Sequence, residues 1–268
     1  GKLMMVALVA IAGLAYAEFS SIVPSSGSAY TYTYASLGEF IAFLVGWNLI
    51  LEYTVTASAV ASGWSGYVSG LFQSAGAALP AALTHVPADG GIINLPAILI
   101  TLLLSFFLIH GTQESTKLNR ILVFIKLAAV FIFLLLAGPH VETTNWEPFM
   151  PFGFSGVAGG AAIVFFAYIG FDAVATSAEE CKNPAHDLPI GIIGSLIICT
   201  ALYVIVAAVL TGVVPYTELN SPEPVAFALR YIGYNIGSAI VGVGAIAGIT
   251  TVLLVLLYGQ ARIFFAMS

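Results

Sequence analysis

Long apolar stretches, each ended by a short polar or Pro/Gly-rich break, run through the whole chain. A helix that crosses roughly 30 Å of hydrocarbon needs about 20 predominantly apolar residues. Seven segments meet that requirement: about 3 to 20, 36 to 70, 94 to 111, 118 to 137, 154 to 179, 188 to 213 and 236 to 260. Between them lie Pro80, Pro87, Gly90 and Gly91, then Gly138 and Pro139, Pro184 and Pro189, and Pro215, Pro222 and Pro224, residues that end helices. The segments are too long and too uniformly apolar for barrel strands, and backbone facing lipid must satisfy its own hydrogen bonds. The pattern therefore predicts an all-α polytopic membrane protein, with residues 1–268 forming a single transmembrane domain of seven spans.

Two connecting stretches carry patterns of their own. Ser25 to Ser36, SSGSAYTYTYAS, alternates small polar residues with Tyr30, Tyr32 and Tyr34, which suits an aromatic-rich loop at the membrane surface, the preferred reading, or a segment packed on a neighbouring helix. Ser221 to Tyr234, SPEPVAFALRYIGY, opens with helix-start signals and carries Val225, Phe227, Ala228 and Leu229, which predicts a short surface or re-entrant helix over the outer face. With the first span running inward, Lys117, Arg120, Lys182 and Arg262 fall on the cytoplasmic side, and Lys2 and Arg230 outside. That bias gives the orientation.

Composition agrees with the pattern. With 60% hydrophobic and 7% charged residues, the chain has too little polar surface to coat a soluble globule. The net charge of -6 comes from acids scattered over loops and span ends, and no basic tract offers itself to nucleic acid. A nucleic-acid partner is not expected. Cys181 and Cys199 have no CxxC or Cys/His cluster around them, so neither a disulfide framework nor a metal site is indicated, and no cofactor is expected. The first residues, GKLMMVALVAIAGLAYAEF, share features with a secretory signal, but the spans that follow make a membrane span the better reading. The chain is expected to continue beyond both of its ends.

Three ionisable residues sit where the pattern forbids them. Asp172 lies roughly 9 Å from the midpoint of the fifth span, Lys126 is almost central in the fourth, and Glu52 is near the middle of the apolar part of the second. A central Lys or Asp costs about 2.5 to 3.5 kcal/mol on insertion scales, so these groups should face one another, a cavity or a polar pathway. A low-dielectric surround disfavours charge, which makes proton uptake and release chemically available near neutral pH. The alternative is a fixed buried ion pair that holds helices in register.

The middle of the fifth span, Phe165, Phe166, Ala167, Tyr168, Ile169, Gly170 and Phe171, combines bulky aromatics with one glycine. A glycine costs roughly 1 kcal/mol in a helix interior and lets the backbone leave helical geometry. Interrupted membrane helices use such points to bind the charged ends of a substrate, whereas close helix packing at Gly170 would explain the residue without any ligand. A third pattern, Gly63, Trp64, Ser65 and Gly66, spells the GxSG of intramembrane serine proteases. Such a nucleophile needs a histidine at membrane depth, and His85, His110, His140 and His186 all lie in loops or at span edges. An enzyme is not expected.

FFAYIGFDAVATSAEECKNPAHDLP, AEFSSIVPSSGSAYTYTYASLGE, GWNLILEY and VGAIAGITTVLLVLLYGQARIFFAMS together resemble the amino acid permeases of the amino acid, polyamine and organocation (APC) superfamily. The likeness covers nearly the whole chain and is closest to bacterial relatives of cationic amino acid transporters. It implies part of a leucine-transporter-type fold, in which two inverted five-helix repeats surround a central site. By that resemblance the chain supplies the second to eighth helices, lacks the first helix and those after the eighth, and has the family's broken sixth helix as its fifth span. The resemblance implies that Phe166, Ala167, Ile169 and Gly170 line the substrate site, with Phe166 as a gating aromatic and carbonyls of the unwound turn receiving the substrate amino group. Lys126 matches the lysine that replaces a sodium ion in proton-coupled members, and Glu52 and Asp172 fall at acidic positions linked to that coupling. The implied activity is proton-coupled amino acid transport across the cell membrane, here the bacterial inner membrane, with amino acid, protons and lipid bilayer as partners.

Overall fold

A computed structural model of the chain describes residues 2–23, 27–87, 90–110, 112–168, 170–176 and 181–268. All regular structure in these residues is helical. In chain order the α-helices are α1 (Lys2–Ile22), α2 (Ser28–Leu37), α3 (Glu39–Ser74), α4 (Ala81–Thr84), α5 (Leu95–His110), α6 (Thr112–Ala137), α7 (Gly153–Phe165), α8 (Phe171–Thr176), α9 (Pro184–Val213), α10 (Pro224–Tyr231) and α11 (Asn235–Met267). Five stretches are long and apolar enough to cross a membrane: Glu39–Gln73, Arg120–His140, Gly153–Ala175, Pro184–Val213 and Asn235–Met267. Two shorter apolar stretches are Ala10–Ile22, within α1, and Leu95–His110. Large apolar side chains point away from the protein, Ile109 with 81% and Ile163 with 77% of its surface exposed. Such a surface suits lipid and not water.

Local chemistry explains several boundaries. Pro184 occupies the first turn of α9, where its missing N–H is not needed, and the Asp187 carboxylate reaches back to accept from the Asn183 N–H at 3.1 Å. Gly38, at φ 86°, separates α2 from α3 in a conformation that suits glycine. The break divides the expected span 36 to 70, whose first residues belong to α2.

Of the two readings for the stretch around Tyr30, Tyr32 and Tyr34, the surface loop is corrected, since Ser28 to Leu37 form a helix, and packing on a neighbouring helix is what the structure has. Contacts with α1 decide the outcome. Tyr32 is buried, stacked on Phe19 with ring centroids 5.6 Å apart and edge-on to Tyr16 at 5.9 Å. Tyr30 and Tyr34, one turn apart, share the other side at 6.2 Å.

The chain divides into two compact units. The first comprises Gly1–Thr54, Glu147–Ile205 and Tyr258–Ser268. In it α1 packs on α2, α7 and α8, and α2 packs on α8. Gly259 of α11 lies against the ring of Tyr53, where a Cβ would clash.

The second unit comprises Val55–Trp146 and Val206–Leu257. Its core joins Phe133 and Ala137 of α6 to Val213 of α9, Ala228 and Leu229 of α10, and Val241 of α11. The helix expected within 221 to 234 is present as α10, its Ala228 and Leu229 sunk in this core and its Ala226 buried as well. An ion pair fastens it. Arg230 binds Glu223 and also donates to Ser238 Oγ at 3.1 Å, whose own hydroxyl donates to the Ala226 carbonyl at 2.8 Å. Gly70 of α3 faces the Glu223 carboxylate so closely that a Cβ would collide with it. Arg230→Ala leaves the buried Glu223 carboxylate without its counter-charge, a loss of about 1 to 3 kcal/mol. The expected result is a lower midpoint of thermal unfolding in detergent, and an unchanged midpoint would contradict this account of α10.

Candidate functional site

The fifth expected span is interrupted at its middle. Helix α7 ends at Phe165, a 3-10 turn covers Phe166–Tyr168, and α8 begins at Phe171. Gly170 has φ 122°, which L side chains rarely adopt, and a Cβ built there would meet nothing within 4 Å. The demand for glycine is therefore conformational and not a matter of space, which answers the close-packing alternative. An interruption of this kind frees backbone N–H and C=O groups from the helix ladder, and in a membrane they must find other partners.

The partners come from both sides of the break. Asp172, in the first turn of α8, is 5% exposed. Its Oδ1 accepts from the Gly170 N–H at 3.1 Å and its Oδ2 accepts from the Tyr53 hydroxyl of α3 at 2.8 Å. The Ser28 hydroxyl of α2 donates to the Asp172 carbonyl at 3.3 Å. On the other side, the Tyr203 hydroxyl of α9 donates to the Ala167 carbonyl at 3.0 Å, and the Tyr168 hydroxyl donates to Thr200 Oγ1 at 2.9 Å. The Tyr168 and Tyr203 rings meet edge to face at 5.3 Å. The broken turn is held from α3 through Asp172 and from α9 through Ala167 and Tyr168.

Phe166 lies at the start of the turn with 42% of its surface exposed. Ala167 and Gly170 border a cavity of about 160 Å³ that also touches α9. Ile169 lies outside the described residues. Glu52 is half-buried in the same unit as Asp172, near enough for the two acidic groups to interact electrostatically. Lys126 belongs to the second unit, where its stem runs beside Gly248 of α11. A Cβ on Gly248 would meet Lys126 Cβ at 3.0 Å and Cδ at 3.4 Å, so glycine there makes room for the lysine.

A larger groove, about 700 Å³, is lined by Tyr30, Glu39, Phe40, Trp47, Phe264 and Met267 among others and contains none of the expected site residues. Among the described residues no cluster of His, Cys, Asp or Glu is arranged to hold a metal ion. Ser65 of the GxSG pattern is fully buried, and its hydroxyl has no hydrogen-bond partner among the described residues. Nucleophilic catalysis requires a base in contact with that hydroxyl.

Sequence reasoning missed Tyr53, Thr200 and Tyr203. The signal available was a polar handle in an apolar span: Thr200 and Tyr203 are three apart on α9, which places them on one face, and Tyr53 follows Glu52 directly. Tyr53→Phe keeps the ring and removes only the bond to the Asp172 carboxyl group. That bond contributes about 1.5 to 3 kcal/mol if the acceptor is charged. We expect a lower unfolding midpoint in detergent for Tyr53→Phe than for the parent, and equal midpoints would show that Asp172 does not depend on it.

Comparison with known proteins follows the same lines. A family model described as "Amino acid permease" matches residues 2–268. The chain is 50% identical over 261 residues to the methylthioribose transporter of Bacillus subtilis (strain 168), covering 97% of this chain and 57% of that protein. It is 51% identical over 262 residues to the branched-chain amino acid permease BcaP of Bacillus subtilis (strain 168), covering 96% and 56% respectively. It is 42% identical over 267 residues to the cationic amino acid transporter 4 of Homo sapiens, covering 96% of this chain and 42% of that protein. The chain spans about half the length of the curated relatives it matches. These relatives are transporters and permeases, not enzymes.

Proposed function

Since the chain belongs to the amino acid permease family, we propose that it forms part of a secondary active transporter that moves amino acids across the membrane, driven by protons, with substrate held at the unwound middle of the helix over residues 154 to 179. It is a multi-pass protein of the cell membrane. The observation that carries the reading is the break itself, a 3-10 turn and a left-handed glycine between two helices of one span. Backbone groups released there suit the ammonium and carboxylate of an amino acid, whose charges otherwise find little to bind at membrane depth. Phe166 closes over the substrate, Ala167 and Ile169 line it, and Gly170 supplies the bend.

Lys126, Glu52 and Asp172 form the proton-coupling set. Each costs stability in a bilayer, and a group that gains and loses a proton during the cycle accounts for keeping that cost. Asp172 also organises the turn through its bond to Gly170, so a change in its protonation would reach the binding backbone directly.

Relatives of about equal identity carry the names of a methylthioribose transporter and a branched-chain amino acid permease, and amino acids agree with the family description as well. One other reading is a membrane protein that does not transport. Uptake by the full-length protein in proteoliposomes, with labelled amino acids and labelled methylthioribose and an imposed pH gradient, separates these. The proposal expects amino acid uptake that rises with an inward proton gradient. Uptake of methylthioribose alone, or of nothing, would overturn it.

A further inference from the structure

We propose that the open recess where α6, α9 and α10 end binds an organic ammonium ion, and that it favours simple alkyl amines over amino acids. The recess lies within the second unit, has a volume of about 390 Å³ and shares no residue with the broken turn. Its polar lining is His140, Glu142, Asn145 and Tyr231, and Val141, Pro215 and Ile232 are among its apolar residues. The inference concerns binding alone and does not depend on the transport reading.

Chain geometry gives the recess its sign. Helix α6 ends at Ala137, α9 at Val213 and α10 at Tyr231, and the lining residues lie at those ends or follow them within a few positions. A helix C-terminus carries a partial negative charge and leaves its last carbonyls without partners inside the helix. Three such ends at one place favour a cation. Glu142 adds a full negative charge: it is exposed, and no ion pair neutralises it among the described residues. No Lys or Arg lines the recess, and Arg230, beside Tyr231 in the chain, is committed to Glu223.

The hydrogen bonds already made leave acceptors over. Asn145 Nδ2 donates to the Gly212 carbonyl at 2.8 Å, and the Glu142 N–H donates to the same carbonyl at 2.9 Å. These bonds tie the segment to the end of α9, and they leave the Asn145 Oδ1 and the Glu142 carboxylate to accept. His140 Nδ1 lies 3.1 Å from the Leu136 carbonyl, which can only accept. Nδ1 therefore carries the proton, and the neutral ring keeps a lone pair on Nε2. An alkyl ammonium has three N–H donors, which match a carboxylate, an amide oxygen and an imidazole nitrogen. The Tyr231 ring, with 49% of its surface exposed, adds an aromatic surface that attracts the same charge. An amino acid brings a carboxylate too, which would meet Glu142 and three negative helix ends with no Lys or Arg to receive it. An amine without a carboxylate avoids that repulsion.

The test is isothermal titration calorimetry on the full-length protein in detergent, with propylamine, 1,4-diaminobutane and propionate as probes, in the parent, in Glu142→Gln and in Glu142→Asp. Both amines are expected to bind the parent, and propionate is not. Glu142→Gln keeps the size of an exposed side chain and removes its charge, and it should weaken propylamine binding about tenfold or more. Glu142→Asp keeps the charge and should stay within about threefold of the parent, which separates the charge from the side chain's shape. Saturating leucine should leave the propylamine affinity of the parent unchanged, since the amine site is apart from the broken turn. The proposal is overturned by no amine binding, by propionate binding as well as propylamine, by an affinity that Glu142→Gln does not move, by equal losses in the two variants, or by displacement of propylamine with leucine.

Discussion

Gly170→Ala is expected to cut amino acid uptake by the full-length protein about tenfold or more while the protein still inserts and stays folded. The reason lies in backbone torsion. Gly170 is at φ 122°, and a Cβ there meets no neighbour within 4 Å, so the substitution is not a collision. An L residue held at positive φ costs about 1 to 2 kcal/mol. The turn will relax to avoid that cost, and the Gly170 N–H that donates to Asp172 Oδ1 will move with it. A shift of 1 Å in a positioning group can cost about a hundredfold in rate, so modest relaxation is enough. Gly170→Val, with a branched Cβ, should be worse still. Gly159→Ala provides the control, for Gly159 lies inside α7, has open space around a built Cβ and has no positive φ. That change should leave uptake near the parent value and add up to about 1 kcal/mol of helix stability. Equal losses at positions 159 and 170 would show that glycine serves packing or insertion and not the break.

The second large effect is expected at Lys126. Lys126→Met keeps a long unbranched stem beside Gly248 and removes the charge. In proteoliposomes the stimulation of uptake by an inward proton gradient should disappear, while exchange of internal for external amino acid, which needs no net proton movement, continues. The separation of the two readouts matters, because a merely structural lysine would lower both or neither. Full pH-gradient-driven uptake by Lys126→Met would remove Lys126 from the coupling set.

Much of this was legible in the residues because the bilayer simplifies the reading. Apolar length alone marked out helices such as Pro184–Val213 and Asn235–Met267. One glycine among aromatics marked the break, since only glycine relieves the conformation adopted at 170. For Ser25 to Ser36 the choice between a surface loop and a segment packed on a neighbouring helix could not be made from the tyrosine pattern, because the aromatic contacts of Tyr32 with α1 decide it. Long-range partners were out of reach for the same reason. Tyr53 and Asp172 are 119 positions apart, and Tyr203 and Ala167 36 apart, so no local period connects them. The charge of Asp172 was visible, but its double acceptor role, which organises the turn, is a property of the folded chain.

The most direct test of the account is an experimental structure of the full-length protein with a transported amino acid bound, reading the distance from the substrate ammonium to the backbone carbonyls of residues 166 to 170. At least one such distance is expected in hydrogen-bond range, about 2.7 to 3.2 Å. A substrate bound with no polar contact to that turn would contradict it.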